Sequence, residues 1–440
     1  MKKLAFRASV SLFLFCFFTL SLRAEVLAVA ETESGAGWLE LTDQGDRVLH
    51  LAGSYEDMGR QQARLLLTET EVALRSARSA LHQAIPFMPT GVSLRLIYRL
   101  FYARSAPFMP APFVAEMRGL AEESGAPLRT IQSLHALTYL TSCSGAAAWG
   151  PASADGELYF ARANDVAIVQ DPRTGKAYQD MGMIVIYQPL GEIPYLMISW
   201  PGIVGASEGM NAEGIAIGNM SDPSRYETAA GIPMMFRIKQ ALAQSRTLEE
   251  AVRWMTAAPL EGGYNFLVAD AKIPAAVAIE MDARTVYVGG WDGPAESNRY
   301  TYQGREYVYE PREGLLTRTN HPLSAELIAH HQGQIDDGRP HSKWSAQRYD
   351  DLRGRLEGRY GAIGLENLMM LWREHYLSVE WEKGPTVGGT SHHLVFAPRR
   401  GDFYIAFSQG APQEKGRVVA SAFSQPHHRY NFFELLRRQP

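Results

Sequence analysis

The residue pattern of this chain changes character near residue 143. Between about residues 50 and 140, apolar residues recur at helical spacing. After that point the chain divides into short β-branched or aromatic runs separated by Gly, Pro and Asp, which is typical of strands. These runs include "GAAAW", "ELYFARA", "MIVIYQ", "YLMISW", "GIAIGNM", "NFLVAD", "AVAIEM" and "TVYVGG", and later "HLVFAP" and "DFYIAF". Helical patterns at "PMMFRIKQALAQS", "TLEEAVRWMTAAP" and "LENLMMLWREHYL" stand between them, so we predict an α+β layered fold.

The helical half carries clear start and stop signals. Ser54, with Asp57 three residues later, predicts the N-cap of a helix through "YEDMGRQQARLLLTETEVALRSA", and Gly125 predicts the end of "FVAEMRGLAEES". Between these helices the motif "PFMP" occurs twice, at 86–89 and 107–110, on either side of a basic, aromatic helical segment. We predict that this segment packs on the protein's own core, with contact to a membrane or an acyl chain as the alternative.

Net charge argues against one class of partner. The chain has 440 residues, a formal net charge of −4 and a pI near 6.3, so it offers no broad basic surface. We therefore predict no nucleic-acid partner. A hydrophobic content of 46% is sufficient for one large domain or two small ones.

The N-terminus has the pattern of a secretory signal. Lys2, Lys3 and Arg7 precede the apolar run "LFLFCFFTLSL", which is too short to span a bilayer, and small residues follow between Ala24 and Ala30. We predict a signal peptide over residues 1–30, export to the periplasm or the medium, and no stable membrane span after its removal. An uncleaved N-terminal anchor is the alternative.

Export leaves one cysteine. Of the two cysteines, Cys16 lies within the predicted signal, so the mature chain would carry only Cys143 in a compartment that favours disulfides. Such a thiol is either a buried, inert side chain or a reactive one, and the residue count leaves both interpretations open.

The segment after Cys143 has the composition of a β-hairpin. If residues 151–156 form the loop and Gly150 pairs with Glu157, antiparallel register places Cys143 opposite Asn164.

In this register, the second strand of the hairpin places two charged residues, Arg162 and Asp165, beside the thiol. Arg162 would lower the pKa of Cys143 and so favour its thiolate, with Asp165 next to it. The alternative is that Arg162 and Asp165 pair with each other at a strand end.

These residues resemble a known family. The segment "CSGAAAWGPASADGELYFARAND" looks like the start of the mature chain in the peptidase C45, penicillin acyltransferase-like family of N-terminal nucleophile (Ntn) hydrolases. The resemblance continues through "WPGIVGASEGMNAEGIAIGN", "EEAVRWMTAAPLEGGYNFLVADA" and "TRTNHPL", and upstream in "GSYEDMGRQQARLL". It covers about 53–320. Ser142, where some relatives have Gly, and Ala163, where the family usually has Asn, depart from the pattern.

The resemblance implies a fold and a division of the chain. We expect a four-layer αββα Ntn-hydrolase sandwich with a helical N-terminal pro-segment. Residues 31–142 would be that pro-segment, which becomes the α chain, and residues 143–440 would be the catalytic domain, or β chain. Cleavage between Ser142 and Cys143 would separate the two chains, which would stay associated.

The resemblance also implies roles for site residues. Cys143 would be the nucleophile, and its α-amine, freed by cleavage, would be its general base. Asp165 would accept a hydrogen bond from that amine, and Arg162 would stabilise the thiolate or polar groups of the substrate. Asn219 and Asn320 would donate to the oxyanion.

One further asparagine is a weaker candidate. Asn265, in "GGYNFLVAD", could belong to the site, but a role in a turn or bulge is the preferred interpretation.

The expected function is that of an exported cysteine Ntn hydrolase. It would hydrolyse, or transfer, the acyl group of a small-molecule linear amide through an acyl-thioester. An esterase or phospholipase-type acyl hydrolase and an unprocessed binding protein on the same scaffold are the alternatives. No metal or cofactor is predicted, because the adjacent histidine pairs should point to opposite faces and no zinc spacing or phosphate-binding loop occurs.

Overall fold

The structure is a computed structural model. It describes residues 24–135, 141–167, 169–302, 305–332, 335–336, 339–340, 343–378, 388–409, 412–413, 417–418 and 421–440. The charged start and apolar run of the predicted signal peptide lie outside the described residues.

Most of the strands belong to two large sheets. In chain order the strands are β1 (Glu25–Glu31), β2 (Ala36–Leu41), β3 (Arg47–Gly53), β4 (Thr141–Gly150), β5 (Gly156–Ala167), β6 (Met183–Pro189), β7 (Tyr195–Ser199), β8 (Glu208–Asn211), β9 (Ile215–Ser221), β10 (Tyr264–Asp270), β11 (Ala275–Met281), β12 (Val286–Gly289), β13 (Asn298–Tyr302), β14 (Arg305–Tyr309), β15 (Leu315–Arg318), β16 (Ile335–Asp336), β17 (Arg339–Pro340), β18 (Gly388–Ala397), β19 (Asp402–Phe407), β20 (Pro412–Gln413), β21 (Arg417–Val418) and β22 (His428–Asn431).

The helices lie in groups between the strands. They are α1 (Tyr55–Leu65), α2 (Leu67–Ala84), α3 (Thr90–Ile97), α4 (Ala103–Ser105), α5 (Ala111–Ser124), α6 (Leu128–His135), α7 (Met234–Gln244), α8 (Leu248–Thr256), α9 (Ala325–His330), α10 (Lys343–Glu357), α11 (Leu365–Ser378) and α12 (Phe432–Arg437). A π-helical turn, Tyr98–Tyr102, joins α3 to α4. No helix in the described part of the chain has the length and apolarity needed to cross a bilayer.

The two sheets pack face to face. The larger has ten strands in the order β1-β2-β3-β6-β7-β8-β9-β10-β11-β12, and the smaller has six in the order β15-β4-β5-β18-β19-β22. One apolar cluster contains side chains of both sheets, such as Ile184 and Ile198 with Phe160 and Phe396. Because each sheet also buries its outer face under helices, strands such as β9 and β10 are buried along their whole length.

Helices cover both outer faces. On the larger sheet, Met58 of α1, Phe113 of α5 and Phe236 of α7 lie in one cluster with the strands beneath them. On the smaller sheet, Leu352 of α10 and Trp372 of α11 pack on β4, β5 and β18. The order helix, sheet, sheet, helix confirms the predicted four-layer α+β sandwich.

Several local predictions are confirmed. The side chain of Ser54 accepts a hydrogen bond from the backbone N–H of Asp57, and Gly125 ends α5 with φ of +69°. The structure also shows a cap on α8, where the Thr247 side chain accepts a hydrogen bond from the backbone N–H of Glu250. The predicted helix after Ser54 is, however, two helices, because the chain leaves helical geometry at Leu66.

The prediction that residues 31–142 form a helical segment is wrong for its first part. β2 and β3 lie there, and β3 pairs with β6 in parallel, whereas the other strand pairs described in the two sheets are antiparallel. The segment before Cys143 thus contributes strands to the larger sheet as well as helices to its outer layer. Helical periodicity in the sequence begins at about residue 50 and α1 begins at Tyr55, so the wider bounds that the family resemblance implied are the part that was wrong.

Candidate active site

The hairpin of β4 and β5 places the thiol. Cys143 lies opposite Asn164, as predicted, and the same register holds to Ala148. A bulge then shifts it by one residue, so Gly150 faces Gly156 and the predicted Gly150–Glu157 pair is wrong. Both glycines have positive φ, +53° and +77°, which the tight turn requires.

The thiol faces the space between the two sheets. Cys143 has no exposed surface, and the guanidinium Nη2 of Arg162 lies 3.0 Å from its Sγ. The thiol also contacts Asn164 Oδ1 at 3.5 Å. Cross-strand neighbours on one face of a hairpin come within side-chain reach, which is why β5 supplies both polar partners.

Arg162 is fixed by the larger sheet. Its Nε donates to the backbone oxygen of Asn219 and its Nη2 to Asn219 Oδ1, each at 3.0 Å. Its Nη1 forms an ion pair with Glu208. A side chain on Gly218 would come within 3.0 Å of the Arg162 stem, so the glycine makes room for the arginine.

Glu208 is a fully buried carboxylate of β8 that the sequence analysis did not identify. It accepts hydrogen bonds from His392 Nε2 at 2.9 Å and from the Ser207 hydroxyl at 2.7 Å. Burial alone would raise the pKa of Glu208, but the charges of Arg162 and His392 outweigh it and lower that pKa to about 2. The site therefore contains a permanent carboxylate that balances the guanidinium beside the thiol.

Asp165 lies on the opposite face of β5 from Arg162. Residues three apart in a strand point to opposite faces, so the alternative in which these two residues pair is wrong. Asp165 instead pairs with Arg348 Nη1 at 3.1 Å and accepts from the Thr390 hydroxyl at 2.7 Å. Asp165 is thus linked to the nucleophile through Arg348.

Arg348 of α10 is the main site residue that the sequence analysis missed. It is fully buried, and its Nη1 donates to the backbone oxygen of Cys143 at 3.0 Å. Its Nη2 donates to Asn320 Oδ1 at 2.5 Å. One guanidinium therefore contacts Cys143, Asp165 and Asn320.

Asn320 has a different arrangement from the predicted oxyanion donor. Its Oδ1 accepts the backbone N–H of Cys143 at 2.8 Å, while its Nδ2 donates to the Ser221 oxygen at 2.6 Å. The amide oxygen therefore holds the nitrogen of Cys143, the position predicted for Asp165. Asn265 on β10 fixes this loop, because its Nδ2 donates to the oxygens of Thr319 and His321 on either side of Asn320.

The side-chain amide of Asn219 is arranged as expected for a hydrogen-bond donor to the oxyanion. Its Oδ1 is held by Arg162, and its Nδ2 is buried with no hydrogen-bond partner in the described part of the structure. An unpaired buried N–H is costly, so such groups often mark positions where a ligand or an intermediate binds. The same Arg162 Nη2 contacts Asn219 and the thiol, which places this amide beside Cys143.

The histidines that the structure describes do not gather into a metal site. Within the described ranges, no group of three or more His, Cys, Asp or Glu side chains could hold a metal ion. Members of adjacent pairs bind different partners: His392 contacts Glu208, whereas His393 contacts His427.

Comparison with known proteins gives the family. Residues 154–412 match the family of acyl-coenzyme A:6-aminopenicillanic acid acyl-transferases. The chain belongs to this family. This is the penicillin acyltransferase-like family that the sequence resembles. The matched residues include Arg162, Asp165, Asn219 and Asn320, and they begin after Cys143.

Individual relatives are distant. The protein dcd1B of Dictyostelium discoideum is 25% identical over 252 residues, which span 52% of this chain and 49% of that protein. The chain thus matches about half the length of this curated relative.

Solved structures with partial similarity include three hydrolases or acylases. An N-acylethanolamine-hydrolyzing acid amidase ortholog of Caenorhabditis elegans aligns at 16% identity with a TM-score of 0.37, covering 65% of this chain and 99% of that one. A conjugated bile acid hydrolase mutant of Clostridium perfringens aligns at 10% with a TM-score of 0.35, covering 66% and 96%. Penicillin V acylase of Agrobacterium tumefaciens aligns at 12% with a TM-score of 0.38, covering 61% and 84%.

Proposed function

We propose that this protein is a cysteine Ntn hydrolase that cleaves itself before Cys143. It then hydrolyses, or transfers, the acyl group of a small linear amide through a thioester on that residue. The observation that carries the proposal is the pair of contacts at Cys143, with Sγ 3.0 Å from Arg162 Nη2 and the backbone nitrogen 2.8 Å from Asn320 Oδ1. Membership of an acyl-transferase family supports acyl-group chemistry.

Self-cleavage begins with the thiolate. Arg162 favours the charged form of Cys143, and Sγ attacks the carbonyl carbon of Ser142. The peptide nitrogen takes up the proton that the thiol has lost and leaves as the acyl group moves from nitrogen to sulfur. Water then hydrolyses the thioester. The products are a carboxylate on Ser142 and a free α-amine on Cys143.

The new α-amine completes the catalyst. An α-amino group has an ordinary pKa of about 7.7–8.0, so it can take the proton of its own thiol near neutral pH. Asn320 Oδ1 already holds this nitrogen in the uncleaved chain, so the amine would need little rearrangement. The buried Nδ2 of Asn219 would donate to the oxyanion that forms when the thiolate attacks an amide substrate.

The two chains are expected to stay together after cleavage. Glu116 of α5 forms a buried ion pair with Lys239 of α7 at 2.5 Å, and Tyr187 donates to the same carboxylate at 2.8 Å. The parallel pairing of β3 with β6 also joins residues from the two sides of the cleavage site. Separation would therefore break a sheet and leave buried charges unpaired.

We also propose export, with signal cleavage after Ala24 rather than Ala30. β1 begins at Glu25, and Glu25 pairs with Leu41 of β2. Cleavage after Ala30 would remove most of this strand from the sheet.

N-terminal sequencing and denaturing electrophoresis of the purified protein test the proposal. We expect two chains, one starting at Glu25 and one starting at Cys143, and a single intact chain from Cys143→Ala. If the wild-type chain stays intact like Cys143→Ala, the hydrolase is refuted and a binding protein on this scaffold is favoured.

A further inference from the structure

One exposed surface is both apolar and basic. We call it the 87–108 surface. It consists of the loop before α3, the continuous helical stretch from α3 through the π-helical turn to α4, and the 3-10 helical turn Ala106–Phe108 that follows. Its exposed apolar side chains are Phe87, Val92, Leu96, Leu100, Phe101 and Phe108. Phe87 is 84% exposed, which is unusual for so large an apolar side chain.

The apolar residues form a stripe that the protein's core does not use. Val92, Leu96 and Leu100 recur every four residues and are 49%, 42% and 47% exposed. The opposite side of the same helical stretch already packs inward, through Leu94 and Ile97. The predicted packing on the core therefore accounts for one side of the stretch only.

The charge of this surface has one sign. Arg95, Arg99 and Arg104 are exposed beside the apolar stripe. Between Glu71 and Glu116 the sequence contains no Asp or Glu, although the whole chain carries a net charge of −4. In this segment of the chain, the exposed charges are therefore all positive and lie among the exposed apolar side chains.

These observations favour one occupant. A second copy of the same surface would bring the arginines of both copies together, which opposes self-association. An anionic bilayer instead offers acyl chains to the leucines and phenylalanines and phosphate groups to the arginines. We infer that the 87–108 surface docks the protein on anionic lipid membranes, lying in the interface without crossing it. This inference is independent of the proposed catalytic function.

Vesicle sedimentation tests the inference. The purified protein is mixed with vesicles of phosphatidylcholine alone or with added phosphatidylglycerol, and the bound fraction gives Kd. We expect binding to the anionic vesicles that weakens as salt is added. Arg95→Gln/Arg99→Gln should raise Kd about 25-fold at low salt, because each arginine contributes about fivefold to binding. Leu96→Ser/Leu100→Ser should raise it by at least about tenfold.

A matched control variant distinguishes binding through this surface from non-specific adsorption of exposed apolar side chains to vesicles. Leu190→Ser/Ile273→Ser removes apolar side chains that are 65% and 58% exposed elsewhere, and it should leave Kd within about twofold. All variants share one N-terminus, confirmed by mass, so a retained apolar segment cannot cause a difference between them.

Three results would overturn the inference. The first is no binding of the wild type to anionic vesicles. The second is equal binding by the Leu96→Ser/Leu100→Ser variant and its control. The third is a dimer in gel filtration that the same variant dissociates while vesicles stay unbound.

Discussion

Replacing Glu208 with Gln should destabilise the protein by several kcal/mol. The change preserves the size of the side chain and removes its charge. Glu208 is fully buried, pairs with Arg162 and accepts from His392 and Ser207. Loss of the Glu208 charge would leave the guanidinium of Arg162 buried beside Cys143 without a carboxylate counterion.

Two independent estimates give the size of the effect. The pKa of Glu208 is about 2 in the folded chain against an ordinary value of 4.5. Each unit of difference corresponds to 1.36 kcal/mol, so the carboxylate contributes about 3 kcal/mol to the free energy of unfolding at neutral pH. In other proteins, removing one partner of a buried ion pair lowers the free energy of unfolding by about 3–5 kcal/mol. This range agrees with the value derived from the pKa of Glu208.

The pH dependence follows from the sign of the shift. A carboxylate whose pKa is depressed by folding stabilises the folded state above its unfolded pKa. The contribution of Glu208 should therefore be complete above pH 4.5 and decline as pH falls towards 2. The stability difference between wild type and Glu208→Gln should narrow over that interval.

Urea unfolding in a Cys143→Ala background is the assay, because an uncleaved chain unfolds as one molecule. Glu213→Gln is the matched control, since Glu213 pairs with Arg246 at the surface, with the two side chains 32% and 65% exposed. Glu213→Gln should lower the free energy of unfolding by about 0–1 kcal/mol. Equal destabilisation by Glu208→Gln and Glu213→Gln at pH 7 would refute the reasoning.

The other predictions concern catalysis, processing and chain association. Asn219→Asp retains an oxygen for Arg162 but removes the N–H, so kcat of the processed enzyme on an amide should fall about 10²–10³-fold in steady-state assays. Arg348→Gln removes the cation that contacts Cys143, so electrophoresis over time should show slower self-cleavage. Glu116→Gln leaves Lys239 buried and unpaired, so the two processed chains should separate at lower urea concentration in gel filtration.

Each of these predictions has an outcome that contradicts it. Near-normal kcat in Asn219→Asp would remove that amide from the oxyanion site. Cleavage of Arg348→Gln at the wild-type rate would mean that the arginine is only structural. For the ion pair, the double variant Glu116→Gln/Lys239→Met should recover most of the lost stability, and a double variant as unstable as Glu116→Gln alone would contradict the account.

The features that could be predicted from the sequence are those that local patterns and strand register determine. The position of Cys143 opposite Asn164 followed from turn composition and antiparallel register, and it holds in the structure. The predicted register fails at Gly150, after the bulge that follows Ala148, because an extra residue in one strand cannot be foreseen from alternation alone. The layered fold was predictable because both strand and helix periodicities are strong in this chain.

Other features depend on contacts between distant segments. Arg348 lies on α10, which no sequence signal had identified, next to the buried positions Tyr349 and Leu352. A charged residue within an apolar helical stripe is the signal that could have drawn attention to it. The orientation of the Asn320 amide towards Cys143 depends on a hydrogen bond to Ser221 of the other sheet. Local sequence patterns do not predict such a long-range contact.

The central claim is that Cys143 carries the acyl group during turnover. The direct measurement is intact-mass analysis of the processed protein after brief exposure to a panel of N-acyl amides with fluorescent amines. We predict a mass increase equal to one acyl group on the chain that begins at Cys143, removable by neutral hydroxylamine, together with release of the amine. Amine release without this adduct, at an equal rate in Cys143→Ala, would contradict the account.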